Sequence, residues 1–147
     1  MRLWHKDLIP VLPRQQLISQ WRECCCIAKN IADNGTPNHM LVNKVLDYHF
    51  FYFTSYTQLV LNEIVKRGYT ISEVAYMKFM ENCEKAQDYF NNSRLDKDDI
   101  YGNWHNDRYL NQCFFNLQEK FDCGGILYEE WEKIIDAVYD KVREVKL

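Results

Sequence analysis

The sequence predicts an all-α domain, and three observations carry that prediction. Apolar residues recur at three- and four-residue spacing through most of the chain, the period of a helix with one face inward. Gly and Pro number only five and three, too few for the many turns of an all-β protein. Helix stop signals and start signals also alternate along the chain, which separates the periodic stretches from one another. At 147 residues with 47% apolar and 15% aromatic content, the chain forms one domain spanning 1–147, large enough to bury a core. Five or six helices are expected.

Residues 1–11 are expected to be an extended entry segment. Arg2, His5, Lys6 and Asp7 give it polar character, while Leu3, Trp4, Leu8 and Ile9 pin it to the core. Pro10 and Pro13 prevent a helix from running through it. The first helix covers Leu12 to Asn30, with Pro13 at the first helical position, where a missing N–H costs nothing. Leu17, Trp21, Cys24 and Ala28 form its apolar stripe. Gln15, Ser19, Arg22 and Cys26 fall on the opposite side, flanked by Gln16, Glu23 and Asn30. A guanidinium and a carboxylate therefore project together from the face that does not feed the core. On spacing alone the reading that prevails is a solvated helix face carrying an unpaired Glu, since most helical charges are only that.

The breakers Asp-Asn-Gly-Thr-Pro end this helix near residues 31–35. Residues 38–48 carry Met40, Leu41, Val45 and Leu46 at helical spacing, which predicts a helix or a helical turn. The run from His49 to Phe53 has strand-like composition, but Tyr52, Tyr56, Leu59, Val60, Glu63 and Ile64 continue it as a helix. Lys66-Arg67-Gly68 closes that helix, with cations in the last turn and Gly after it. Thr70 and Glu73 fit a capping box that opens the next helix, from Val74 to about Tyr89. Residues 91–103 form a polar, acidic loop. Asn106 to Phe121 is a helix with Tyr109, Cys113, Leu117 and Phe121 on one stripe, stopped by Cys123-Gly124-Gly125. Leu127 to Val145 is a last amphipathic helix, with Trp131, Ile134, Ile135 and Val138 inward.

Net charge is −3, which by itself argues against a nucleic-acid binder. Its distribution is uneven. Residues 1–70 hold eight Lys/Arg against five Asp/Glu, and residues 71–147 hold ten against sixteen. A polyanion would meet the first half. The six cysteines include no C-x-x-C, and Cys24, Cys25 and Cys26 point about 100° apart on a helix, so they do not form one metal site. They read as structural thiols. The opening residues lack a signal-peptide h-region and no run reaches the length of a membrane span, so a cytoplasmic protein is expected.

QQLISQWRE, residues 15–23, resembles the first helix of the phage endonuclease V family, the pyrimidine-dimer DNA glycosylases. EIVKRGY, residues 63–69, is similar to the end of that family's second helix, and residues 117–121, LQEKF, are similar to part of its third. The opening MRLWHKDLIPVLPRQQL looks like a bacterial branch of the same family.

The resemblance implies an endonuclease V-like fold and a DNA-repair N-glycosylase with abasic-site lyase activity on damaged pyrimidines. It implies no metal or organic cofactor, and damaged double-stranded DNA as partner. The nucleophile is the chain's α-amino group; such amines titrate near about 8, well below Lys, so a useful fraction is neutral at pH 7. Arg at position 2 blocks removal of the initiator, so the amine is that of Met1. By resemblance Glu23 stabilises charge on the sugar and moves protons, Arg2 and Arg22 grip phosphates, and Gln15 contacts a base or the backbone. The family's His beside Gln15 is Gln16 here, the basic residue three past the Glu is Cys26, and Cys-Gly-Gly with an acidic helix replaces its aromatic tail. These departures define the alternative: a catalytically silent helical protein that keeps the fold and binds a protein or nucleic-acid partner.

Overall fold

The structure, a computed structural model, describes residues 1–142. Five α-helices account for most of them: α1 Arg14–Asn34, α2 Phe50–Lys66, α3 Glu73–Ala86, α4 Asp107–Asp122 and α5 Tyr128–Val138. Short 3₁₀ segments lie at Lys6–Val11, Asn43–Asp47 and Gln87–Tyr89, and there is no strand among the described residues. The all-α, endonuclease V-like expectation holds.

α1 is the central helix and packs against both α2 and α3. Its buried arc is Leu17, Gln20, Trp21, Cys24, Ile27, Ala28 and Ile31. Trp21 meets Phe79 of α3 with ring centroids 5.3 Å apart. The helix stops at Gly35, whose φ of 76° lies in the left-handed region that a side chain disfavours. At the other end Pro13 is the N-cap and carries no side-chain cap. The Arg14 N–H donates instead to Glu130 Oε2 of α5 at 2.9 Å. Glu130 Oε1 also accepts from Leu127 N at 3.3 Å, so one carboxylate serves the positive ends of two helices.

Several boundaries differ from expectation. Only residues 1–5 are extended; Lys6–Val11 is 3₁₀ despite Pro10, because a single short turn needs few N–H donors. The His5 imidazole opens it by accepting from Asp7 N at 3.1 Å. His5 is itself 3% exposed and belongs to the core rather than to a polar surface. In residues 38–48 the only helical piece is Asn43–Asp47; Val42 and Val45 are buried, while Met40 and Leu41 are exposed. α3 is capped by Ser72, not Thr70: Ser72 Oγ accepts from Ala75 N at 3.2 Å. Its α-helical part ends at Ala86. α5 ends at Val138, and residues 143–145 of the predicted last helix lie outside the described residues.

Arg67 ties the entry segment to α2. It donates to Glu63 Oε2 at 2.9 Å, Leu12 O at 2.7 Å and Pro10 O at 3.1 Å. Lys141 reaches Asp7 at 3.4 Å from beyond α5. A cluster of rings holds residues 1–5 from the other side. His5 lies 5.1 Å from His105, and His105 lies 5.4 Å from Tyr101 and 5.1 Å from Tyr109. Tyr101 adopts a left-handed φ of 56°, uncommon for a bulky residue, and is almost wholly buried among Tyr48, Tyr52, Tyr56 and Trp104.

Candidate active site

Residues 1–5 are extended but have no neighbouring strand. Leu3, Trp4 and His5 are buried, so the backbone groups of this segment must find partners elsewhere. Side chains supply them. Trp4 N–H donates to Gln20 Oε1 at 2.7 Å, and Gln20 Nε2 donates to Arg2 O at 2.9 Å. Tyr109 OH of α4 donates to Leu3 O at 2.6 Å. Tyr56 OH of α2 lies 2.5 Å from Trp4 O and 3.0 Å from Gln20 Oε1. Burial holds both phenols well above the usual tyrosine range, so they stay protonated donors.

This clamp brings the start of the chain to Glu23. The Arg2 backbone nitrogen is 3.4 Å from Glu23 Oε2, and Gln20 Nε2 is 3.3 Å from the same oxygen. Glu23 is half-buried, one helical turn after Gln20 on α1. Met1 is exposed just outside. The Arg2 guanidinium lies 5.2 Å over the Trp4 ring, and its Nη1 is 3.8 Å from Cys113 Sγ on α4. Met1, Arg2 and Glu23, named from sequence, are therefore brought together.

Gln15 and Arg22 lie on the next face of α1, both exposed. They line a cleft of ≈ 480 Å³ with Arg14, Gln16 and Ser19, closed on the far side by Leu127 and Glu130. A second cleft, ≈ 400 Å³, lies between Met40, Leu41 and Lys44 on one side and Trp104, Arg108, Tyr109 and Gln112 on the other. Tyr109 joins it to the clamp, and among the described residues no carboxylate lines it.

Gln20, Tyr56 and Tyr109 were not singled out from sequence as site residues. A signal existed for Gln20: it interrupts the buried arc between Leu17 and Cys24, and a fully buried amide needs partners. Among the described residues no group of three His, Cys, Asp or Glu side chains is disposed to hold a metal. All six cysteines are free. Burial pushes Cys25 up to about 11 and Cys83 up to about 12, as inert packed thiols should be.

The model of one protein family, pyrimidine dimer DNA glycosylase, matches residues 1–77, more than half of the chain. The chain belongs to this family. The matched stretch holds the extended terminus, α1, α2 and the first turn of α3, and thus Met1, Arg2, Gln15, Arg22 and Glu23. The clamp on the terminus is completed from beyond it, because Tyr109 and Cys113 come from α4. No curated protein and no solved structure matches the chain. Family membership supports a DNA-repair glycosylase role with DNA as substrate. No described helix is long and apolar enough to cross a membrane.

Proposed function

We propose that the protein excises damaged pyrimidines from double-stranded DNA and nicks the strand through a Schiff base on its terminal amine. One observation carries this reading: the Arg2 nitrogen meets Glu23 Oε2 at 3.4 Å, on a backbone fixed by Gln20. The Met1 amine is one residue further out, at most about 3.6 Å from that nitrogen. Chain start and carboxylate thus share the space in which a sugar would react.

The neutral amine attacks C1′ of the damaged nucleotide. The C1′–N glycosidic bond breaks, and its electron pair leaves with the base, which takes a proton. Ring opening gives a C1′=N iminium. Loss of a C2′ proton then expels the 3′ phosphate by β-elimination. Glu23 stabilises positive charge on the opening ring and carries protons between these steps. Arg2, beside Glu23, and Arg22, with Gln15 on the next face of α1, hold phosphates; Lys44 and Arg108 of the second cleft offer further phosphate contacts. Such contacts position DNA without reading its sequence. The duplex must release the damaged nucleotide to reach the amine, which a lesion makes less costly.

A second reading, a silent binding protein on the same fold, is favoured by the sixteen acids against ten cations in residues 71–147. Borohydride trapping on duplex DNA with one abasic site separates the two. The expected result is a covalent adduct mapped to the terminal residue, with nicking lowered about 10²–10⁴-fold in Glu23→Gln. Absence of an adduct at low salt would leave the binding protein as the reading.

A further inference from the structure

Between α2 and α3 runs a seam that no other described element covers, and none of the site residues lines it. We propose that this seam is a docking groove for a basic amphipathic helix of a partner protein. Two adjoining hollows, ≈ 510 Å³ and ≈ 430 Å³, share Tyr76 and Met77 and make one groove along both helices. α2 contributes Phe50, Thr54, Gln58, Leu61 and Val65, spaced four, four, three and four apart. That is the stripe a helix shows to a helical neighbour. From Phe50 to Val65 it runs about 22 Å at 1.5 Å per residue, room for four turns.

The groove floor is exposed where an ordinary surface would be polar. Met77 is 64% exposed, Met80 49% and Val65 60%. Methionine side chains adapt to the shape of an incoming apolar face, as recognition grooves for helices require.

Charge selects the occupant. Glu73, Glu81 and Glu84 line the groove, and among the described residues no Lys or Arg does. None of the three makes an ion pair among the described residues. A second copy of the same seam would set carboxylate against carboxylate. The exposed face of α5 also carries Glu129, Glu132 and Asp136 against the single Lys133, so it is no better suited. An anionic surface, DNA included, is repelled. A helix with apolar residues at three-four spacing and Lys or Arg on its flanks meets both requirements.

The four methionines are the natural reporters, since Met77 and Met80 lie in the groove while Met1 and Met40 lie outside it. The probe is a 15-residue Leu/Lys peptide with Leu at heptad core positions, beside the same peptide with Glu for Lys. Methyl NMR should show Met77 and Met80 shifting on titration with the Lys peptide, with Met1 and Met40 unmoved. The double variant Met77→Gln with Met80→Gln changes exposed side chains only; it should keep its thermal unfolding and bind at least about tenfold more weakly. Three results would overturn the assignment: no binding or equal affinity for the double variant, equal binding of the Glu peptide, or a free protein that dimerises through the seam. The DNA reading is untouched by any of them, since adduct formation at the terminus is measured separately.

Discussion

Trp4 and Gln20 are joined by a 2.7 Å hydrogen bond from the tryptophan backbone N–H to the glutamine carbonyl oxygen. The same glutamine returns its amide to Arg2 O at 2.9 Å and to Glu23 Oε2 at 3.3 Å. One buried side chain thus does for residues 2–4 what a neighbouring strand does in a sheet, and it links that backbone to the carboxylate. Gln20→Leu keeps the volume and removes the polar groups. It leaves Trp4 N–H and Arg2 O unpaired, each at about 1–3 kcal/mol. Stability in urea should fall by about 2–6 kcal/mol. Adduct formation per folded molecule should fall as well; an unchanged rate would show that the terminus finds Glu23 without the clamp.

Arg22 is exposed and makes no ion pair among the described residues, so its removal should leave folding intact. If it holds a phosphate, Arg22→Ala lowers the slope of log affinity against log salt by about 0.9. Anisotropy with a labelled duplex at four or five salt concentrations measures this. A slope equal to the parent's takes Arg22 off the DNA.

Acid should unfold the protein earlier than its carboxylates require. Burial, with His5 and Lys6 nearby, lowers His105 to about 2, while the unfolded residue titrates near 6.5. Burial also lowers His5. Between these two values the unfolded chain binds the proton and the native one does not, so stability falls as pH drops below 6.5 and is level above it. For His105 alone the loss is about 2 kcal/mol by pH 5. His105 Nδ1 accepts from Lys6 N at 2.9 Å, and Asn can replace that acceptor. His105→Asn should be less stable at pH 8 yet show a shallower decline from pH 6.5 to 5; parallel curves would rule out His105 as the source.

Arg67 stands at the end of α2, where a cation is expected for the helix dipole, yet its bonds to Leu12 O and Pro10 O make it a brace for the entry segment. Arg67→Ala should cost about 2–3 kcal/mol, because charge-assisted bonds to half-buried carbonyls are lost together. Its affinity for duplex DNA should stay within twofold of the parent. A large affinity loss with stability preserved would make it a phosphate ligand instead.

The helices were legible because each signal was local. The Trp21 stripe, the Gly35 stop and the Cys123-Gly124-Gly125 stop act within a turn or two of the residues that carry them. The 3₁₀ turn at Lys6–Val11 was not legible, since tertiary contacts decide it; the helical turn expected within residues 38–48 is there, but only as Asn43–Asp47. For the site, Arg22 and Glu23 stood out as charges on one helix face. Tyr56 and Tyr109 did not, because an aromatic that packs and an aromatic that donates a hydrogen bond look alike in sequence. Their role exists only once α2 and α4 are brought against residues 3 and 4.

All four tryptophans are buried, Trp21 the most exposed at 7%. Trp4 alone sits in the extended terminus, directly beneath the Arg2 guanidinium. The molecule therefore carries a native fluorophore beside the proposed site. With Trp21, Trp104 and Trp131 changed to Phe, its emission would report the arrival of a nucleotide at the terminus in real time, without a label.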